Sequence, residues 1–157
     1  MDGARILLVE DDEALRDLER RNLQIRGHVV SIAVDAKSAL AQLRASLFDL
    51  IILDINLPDL TGWEVLRTAL NEGRLQVLDG EGQSPRIPVV VLSAVRVSQR
   101  RLAEFRPLAY LPKPFPMDAL LRLAEEATAR RNSDVLHPQD ESKIALLSLP
   151  YEEDLYA

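Results

Sequence analysis

The fold is decided by residues 48–66, which read FDLIILDINLPDLTGWEVL. Four branched apolar residues, 50–53, stop at Asp54, and a turn at Pro58 and Asp59 leads to Gly62 and an amphipathic segment. A continuous apolar run of this kind is typical of a strand buried on both faces of a parallel α/β sheet. Ligands bind at the carboxyl ends of such strands. Asp54 is therefore either a cap for the following loop or a reactive carboxylate, and this stretch alone favours neither.

Similar strand signals stand on both sides of this stretch, each followed by an amphipathic segment. Residues 6–9, 89–92 and 108–111 are apolar runs, and residues 28–34 alternate as a strand does. Asp35 is a good N-cap for the second helix. Because each helix has to carry the chain back across the sheet, the alternation predicts parallel strands with right-handed crossovers. Apolar residues at helical spacing indicate the helices. They are Leu15, Leu18 and either Leu23 or Ile25 in the first, Ala39, Leu40 and Leu43 in the second, Val65, Leu66 and Leu70 in the third, and Leu120, Leu121, Leu123 and Ala124 within 117–130 in the fifth. A short segment at 97–105 is the fourth.

Length and composition limit the possible classes of function. The 157 residues, 47% of them hydrophobic, suffice for one domain with one core. A formal charge of -6 argues against a nucleic-acid-binding surface, and the lack of cysteine excludes disulfides and thiolate metal sites. The first residues do not resemble a secretory leader, and no apolar run approaches the roughly 18 residues that span a bilayer. We expect a cytoplasmic protein that binds no DNA and does not insert into a membrane.

Two segments depart from the strand–helix alternation. Residues 74–88 place turn residues between short apolar pieces, which indicates a surface loop or a small hairpin, with the loop favoured. Residues 132–157 form an acidic tail with one apolar patch at 144–149. Such a patch is rarely left in water, so it either folds back over its own domain or binds a partner or a second copy of the chain. We expect one domain over residues 1–131 and no separate domain in the tail.

Polar residues stand where the predicted parallel strands end. Glu10 and Asp11 follow the first strand, Asp54 the third and Ser93 the fourth, and Lys113 lies just beyond the fifth. Because the carboxyl ends of parallel strands share one edge of the sheet, we expect these five side chains to converge. Each has an ordinary explanation alone: acids favour a helix N-terminus, a serine can cap a helix, and a loop lysine can be solvated. Their coincidence at strand ends is much harder to obtain by chance.

This set of side chains suits phosphoryl chemistry. Clustered carboxylates repel one another, and Mg²⁺, which prefers oxygen ligands, relieves that repulsion. A carboxylate beside such a cation can attack phosphorus and form an acyl phosphate. The charge of the transferred group then has to be countered by a fixed cation and a hydrogen-bond donor. Lys113 and Ser93 are predicted to supply these two groups.

Four motifs identify a family resemblance. The segments ILLVEDDEALR, LIILDINLPDLTGWEVL, VVVLSA and YLPKPF closely resemble the receiver domain of two-component response regulators, in order and over about residues 5–130. The resemblance implies a flavodoxin-like, doubly wound (βα)5 fold with a five-stranded parallel sheet in the order 2-1-3-4-5.

The resemblance also implies roles at the acidic end of the site. Asp54 matches the phosphoacceptor, Asp11 the direct Mg²⁺ ligand and Glu10 the second acid, because the family's acids directly follow the first strand. Asp12 is the alternative position for the acidic pair. Asn56 would give its backbone carbonyl to the metal, with its side chain facing the phosphoryl group.

On the far side of the site the resemblance implies a switch. Ser93 matches the switch hydroxyl, Tyr110 the switch aromatic residue and Lys113 the lysine that contacts the phosphoryl group. Phosphorylation would draw in Ser93 and let Tyr110 swing inward. Ala94 matches a position whose small side chain leaves the phosphate accessible. The Lys113–Pro114 bond would be the family's cis peptide.

The resemblance implies a stand-alone receiver, a phosphorylation-controlled switch and not an enzyme. A histidine kinase or phosphotransfer protein would phosphorylate it, and output would pass through protein–protein contacts, including a possible homodimer. Two alternatives stay open: a degenerate receiver that serves as a docking module, and a phosphohydrolase of the haloacid-dehalogenase type. The second needs an aspartate two residues after the nucleophile, where this chain has Asn56. Three features depart from the family pattern: the long 74–88 connection, the short fourth helix, and Arg106-Pro107 in place of Gly-Ala. They put the usual signalling face of the family in doubt.

Overall fold

The computed structural model describes residues 3–76 and 86–132. Strands and helices alternate through this part of the chain, as predicted. The elements are β1 Arg5–Val9, α1 Glu13–Ile25, β2 Val29–Ala33, α2 Ala36–Ala45, β3 Leu50–Asp54, α3 Gly62–Asn71, β4 Val89–Ser93, α4 Gln99–Phe105, β5 Ala109–Pro112 and α5 Met117–Asn132.

The five strands form one parallel sheet in the order β2-β1-β3-β4-β5, which confirms the predicted fold. Every residue of β3 and β4 is buried, as expected of strands covered by helices on both faces. The edge strand β2 is buried only at Ala33. Alternate residues of the inner strands face two separate apolar layers. One layer contains α2, α3 and α4, and the other contains α1 and α5.

Short polar residues fix where the helices begin. Asp12, Asp35, Thr61 and Ser98 are the N-caps of α1 to α4, and each side chain accepts a hydrogen bond from a backbone N–H of the first turn. These bonds satisfy amides that have no partner inside the helix. Ser98 explains why α4 begins at Gln99, two residues later than predicted.

The predicted insertion and tail fall mostly outside the described residues. Gln76 and Arg86 form an isolated antiparallel bridge, so the two ends of the insertion pair in the manner of a hairpin base. Residues 77–85, on which the choice between loop and hairpin depends, and residues 133–157 lie outside the described part. Within residues 3–76 and 86–132, no helix is long and apolar enough to cross a membrane.

Candidate functional site

The carboxyl edge of the sheet brings the predicted polar residues together. Glu10 directly follows β1, Asp54 ends β3 and Ser93 ends β4. Ser93 pairs in register with Pro112 of β5, and the next residue, Lys113, donates its backbone N–H to the Ser93 carbonyl at 2.8 Å. The strand ends that carry these residues therefore share one edge of the sheet, as expected.

Lys113 joins two of the carboxylates. Its Nζ donates to Glu10 Oε1 and to Asp54 Oδ2, each at 2.9 Å. Glu10 is 0% exposed and Asp54 3% exposed, so both interactions are shielded from bulk water. Charge-assisted bonds of this kind are shorter and stronger than neutral ones. The Lys113–Pro114 peptide bond is cis, as predicted.

Asp11 completes an acidic cluster that could hold a metal ion. One ligand oxygen from each of Glu10, Asp11 and Asp54 lies within 4.8 Å of the others. The neighbouring acid, Asp12, instead caps α1 by accepting from Leu15 N at 3.0 Å. An all-oxygen carboxylate set is the donor chemistry that Mg²⁺ prefers. The geometry therefore fits the prediction with Asp11, and not Asp12, beside Glu10.

Burial and charge govern protonation at this site. Burial, followed by the neighbouring Asp54 carboxylate, raises the pKa of Glu10 to about 7, although Lys113 opposes the shift. Burial would lower the pKa of Lys113, but its hydrogen bonds to Glu10 and Asp54 raise that pKa above its ordinary value. Lys113 therefore stays charged near neutral pH, while Glu10 is close to the point of exchanging a proton.

Asn56 lies in the loop of residues 55–61, which is named the phosphoacceptor loop after the predicted role of Asp54, the residue that precedes it. Its backbone N–H donates to Asp54 Oδ1 at 3.0 Å, and it forms a bridge with Thr61 at the other end of the loop. Its side chain is exposed. Asn56 is thus beside Asp54, and the metal-binding role of its carbonyl stays a prediction.

The predicted switch residues, Ser93 and Tyr110, meet at one carbonyl. Ser93 Oγ donates to Val95 O at 2.7 Å and accepts from Val95 N at 3.1 Å. The Tyr110 hydroxyl donates to the same Val95 oxygen at 3.2 Å, and its ring is 2% exposed. Tyr110 therefore occupies the inward position that was predicted to follow phosphorylation, and Ser93 contacts the β4–α4 loop. Their roles as a switch stay a prediction.

Sequence interpretation missed Glu19 of α1. The apolar positions assigned to this helix included Leu18, but Leu18 is 52% exposed and Glu19 is 0% exposed. Leu15, Glu19 and Leu23 are spaced by four residues, so they share the face that packs on the sheet. That spacing could have placed Glu19 on the buried face of the helix. The sequence alone favours an exposed position, because a charged side chain is rarely buried.

Comparison with known proteins supports a single family. A model of the response regulator receiver domain matches residues 6–125. Response regulator MprA of Mycobacterium tuberculosis is 37% identical over 121 residues, which are 76% of this chain and 48% of that protein. MprA of Mycolicibacterium vanbaalenii is 33% identical over 132 residues, which are 83% of this chain and 52% of that protein. The chain thus spans about half the length of these relatives.

Solved structures show the same fold. A CheY-like response regulator receiver domain protein from Methanospirillum hungatei has a TM-score of 0.66 and 28% identity, covering 82% of this chain and 95% of that one. Response regulator protein TrrA from Thermotoga maritima, solved in complex with Mg²⁺-BeF, has a TM-score of 0.64 and 25% identity, covering 81% and 99%. From its sequence match, its sheet order and its acidic site, the chain belongs to the response regulator receiver domain family.

Proposed function

We propose that the domain is cytoplasmic, that it accepts a phosphoryl group on Asp54 from a histidine kinase or histidine phosphotransfer protein, and that it signals through protein contacts. The observation that carries this proposal is the cluster of Glu10, Asp11 and Asp54, two of which, Glu10 and Asp54, are bonded to the Lys113 ammonium. It joins a nucleophilic carboxylate, an acidic cation site and a fixed positive charge in one place.

The proposed reaction uses these positions. A carboxylate oxygen of Asp54 attacks the phosphorus of a phosphohistidine, the phosphorus–nitrogen bond breaks, and the imidazole leaves with the electron pair. Glu10, Asp11, Asp54 and the Asn56 carbonyl would hold Mg²⁺, which when bound neutralises charge on the transferred group. Lys113 supplies a second positive charge from the side of β5.

Labelling with acetyl phosphate tests this assignment. Asp54→Ala should abolish Mg²⁺-dependent labelling, since it removes the nucleophile. Asp11→Ala should remove the Mg²⁺ requirement together with most of the rate. Asp12→Ala is the matched control, because it removes an adjacent acid that caps α1 and lies outside the cluster. Undiminished labelling of Asp54→Ala, or equal effects at Asp11 and Asp12, would contradict the proposal.

A further inference from the structure

The phosphoacceptor loop is held to helix α2 by one carboxylate. Asp59 Oδ1 accepts a hydrogen bond from Ala36 N at 2.8 Å, and Asp59 Oδ2 accepts one from Lys37 N at 3.0 Å. Asp59 Oδ1 also accepts from the next amide of its own loop, Leu60 N, at 3.0 Å. One side chain therefore connects two segments that are more than 20 residues apart in the sequence.

These bonds complete the cap of α2. The first amides of a helix have no intrahelical partner, and they are partially positive because of the helix dipole. Asp35 satisfies Ser38 N at 2.7 Å, and Asp59 satisfies the two amides before it. The amide of Ala36, followed by those of Lys37 and Leu60, lowers the pKa of Asp59, so it is ionised at neutral pH.

We propose that Asp59 is a positioning residue for the metal site, because it fixes the phosphoacceptor loop against α2 and so sets where the Asn56 carbonyl lies. This inference rests on the proposed function. The side-chain ligands Glu10, Asp11 and Asp54 lie at the ends of β1 and β3. The Asn56 carbonyl is the proposed ligand that belongs to a loop, three residues before Asp59.

Two kinds of contact hold the loop: Ile55 N donates to Leu92 O at 3.0 Å and Asn56 pairs with Thr61 at its base, and Asp59 joins its outer part to α2. The loop is closed at its base, where Gly62 N donates to Ile55 O at 2.8 Å. Ile55 and Leu57 are buried in the apolar layer, whereas Pro58, Asp59 and Leu60 are exposed. Among the described hydrogen bonds, those that join the outer part of the loop to another element are therefore made by Asp59. Without them it would sample more conformations, and ordering it would oppose cation binding.

The test compares two substitutions that both weaken the cap of α2. Asp59→Ala removes the bonds that reach the phosphoacceptor loop, and Asp35→Ala removes the N-cap of the same helix without touching that loop. Mg²⁺ binding to the full chain is measured at neutral pH from the backbone amide shifts of Asp54 and Asn56. Thermal denaturation of both variants reports the shared loss of helix stability.

Asp59→Ala should weaken Mg²⁺ binding about tenfold, as expected of partners that orient a metal ligand, while Asp35→Ala stays within about twofold of the unsubstituted chain. Asp59→Asn, which keeps one acceptor oxygen, should fall between them. Equal affinity of Asp59→Ala and the unsubstituted chain would overturn the proposal. So would an equal loss in Asp35→Ala, because the effect would then arise from α2 alone.

A second readout separates this inference from the proposed function. If the unsubstituted chain showed no saturable response to Mg²⁺, the proposed metal site would fail. Hydrogen exchange of the Asn56 amide, measured without the cation, would still decide whether Asp59 holds the loop. Faster exchange in Asp59→Ala than in Asp35→Ala would support the loop attachment, and equal exchange would refute it.

Discussion

Replacing Glu19 by glutamine should stabilise the domain at neutral and alkaline pH. Glu19 is 0% exposed, and neither of its carboxyl oxygens has a hydrogen-bond partner within the described part of the chain. Burial, assisted by the negative charge of Glu10, raises the pKa of Glu19 from 4.5 to about 8. The folded domain therefore holds this carboxyl in its neutral form at pH 7, because an unpaired buried carboxylate would be far more costly.

The size of the effect follows from the difference between the folded and unfolded pKa values. Unfolding at pH 7 releases the proton of Glu19. The domain is therefore about 3 kcal/mol less stable at this pH than it would be with a group at the same position that does not titrate. Because the folded pKa is the higher one, the contribution of Glu19 to stability is complete below pH 4.5. It is lost as the pH rises towards about 8. Glutamine has a similar shape and does not titrate, so it avoids this loss.

Urea denaturation at several pH values, with a chelator present, provides the assay. The unfolding free energy of Glu19→Gln minus that of the unsubstituted chain should grow by about 1.4 kcal/mol per pH unit between pH 5 and 7, and by less as the pH approaches 8. Glu10 remains in both proteins, so its own contribution largely cancels. Glu13→Gln, an exposed position of the same helix, is the control and should show no such growth. A difference that does not change with pH would refute the reasoning.

Two further substitutions probe the packing around α4 and β5. Phe105→Leu should lower the free energy of unfolding by about 2 kcal/mol, because the rings of Phe105 and Trp63 stack with centroids 5.2 Å apart. It should also change the fluorescence of Trp63, the only tryptophan. Unchanged emission and stability would contradict this contact. Tyr110→Phe should lower the free energy of unfolding, measured by urea denaturation, by about 1 kcal/mol, since it removes the hydrogen bond from the hydroxyl to the Val95 carbonyl and keeps the ring. A loss above about 3 kcal/mol would show that the hydroxyl does more than this one bond.

The strands and the strand-end residues were predictable from the sequence because their signals are local. A strand covered on both faces has to be continuously apolar, and its end is marked by the first polar residue, as at Asp54. The parallel order then brings Glu10, Ser93 and Lys113 to the same edge without any knowledge of side-chain contacts. The family resemblance supplied the strand order and the individual roles.

Asp59 and Glu19 were not predictable because their environments are tertiary. Asp59 carries a local turn signal beside Pro58, and nothing nearby in the sequence indicates that its carboxylate caps a helix 22 residues earlier. Glu19 contradicts the ordinary rule that a charged side chain lies on the exposed face of a helix. Only the packing of α1 on the sheet shows that Glu19, and not Leu18, faces inward.

The two acids that follow β1 show how burial gives neighbouring carboxylates different properties. Burial and the neighbouring Asp54 raise the pKa of Glu10 to about 7 although Lys113 opposes the shift, whereas Asp11, one residue later, is exposed. Of the three carboxylates proposed to hold a cation, Asp11 is exposed, and Glu10 and Asp54 are buried. Lys113 offsets part of the repulsion among these three carboxylates while it remains within 2.9 Å of the proposed nucleophile. In the proposed reaction, the ammonium that lets the acids lie together is therefore already placed to counter the charge of the transferred group.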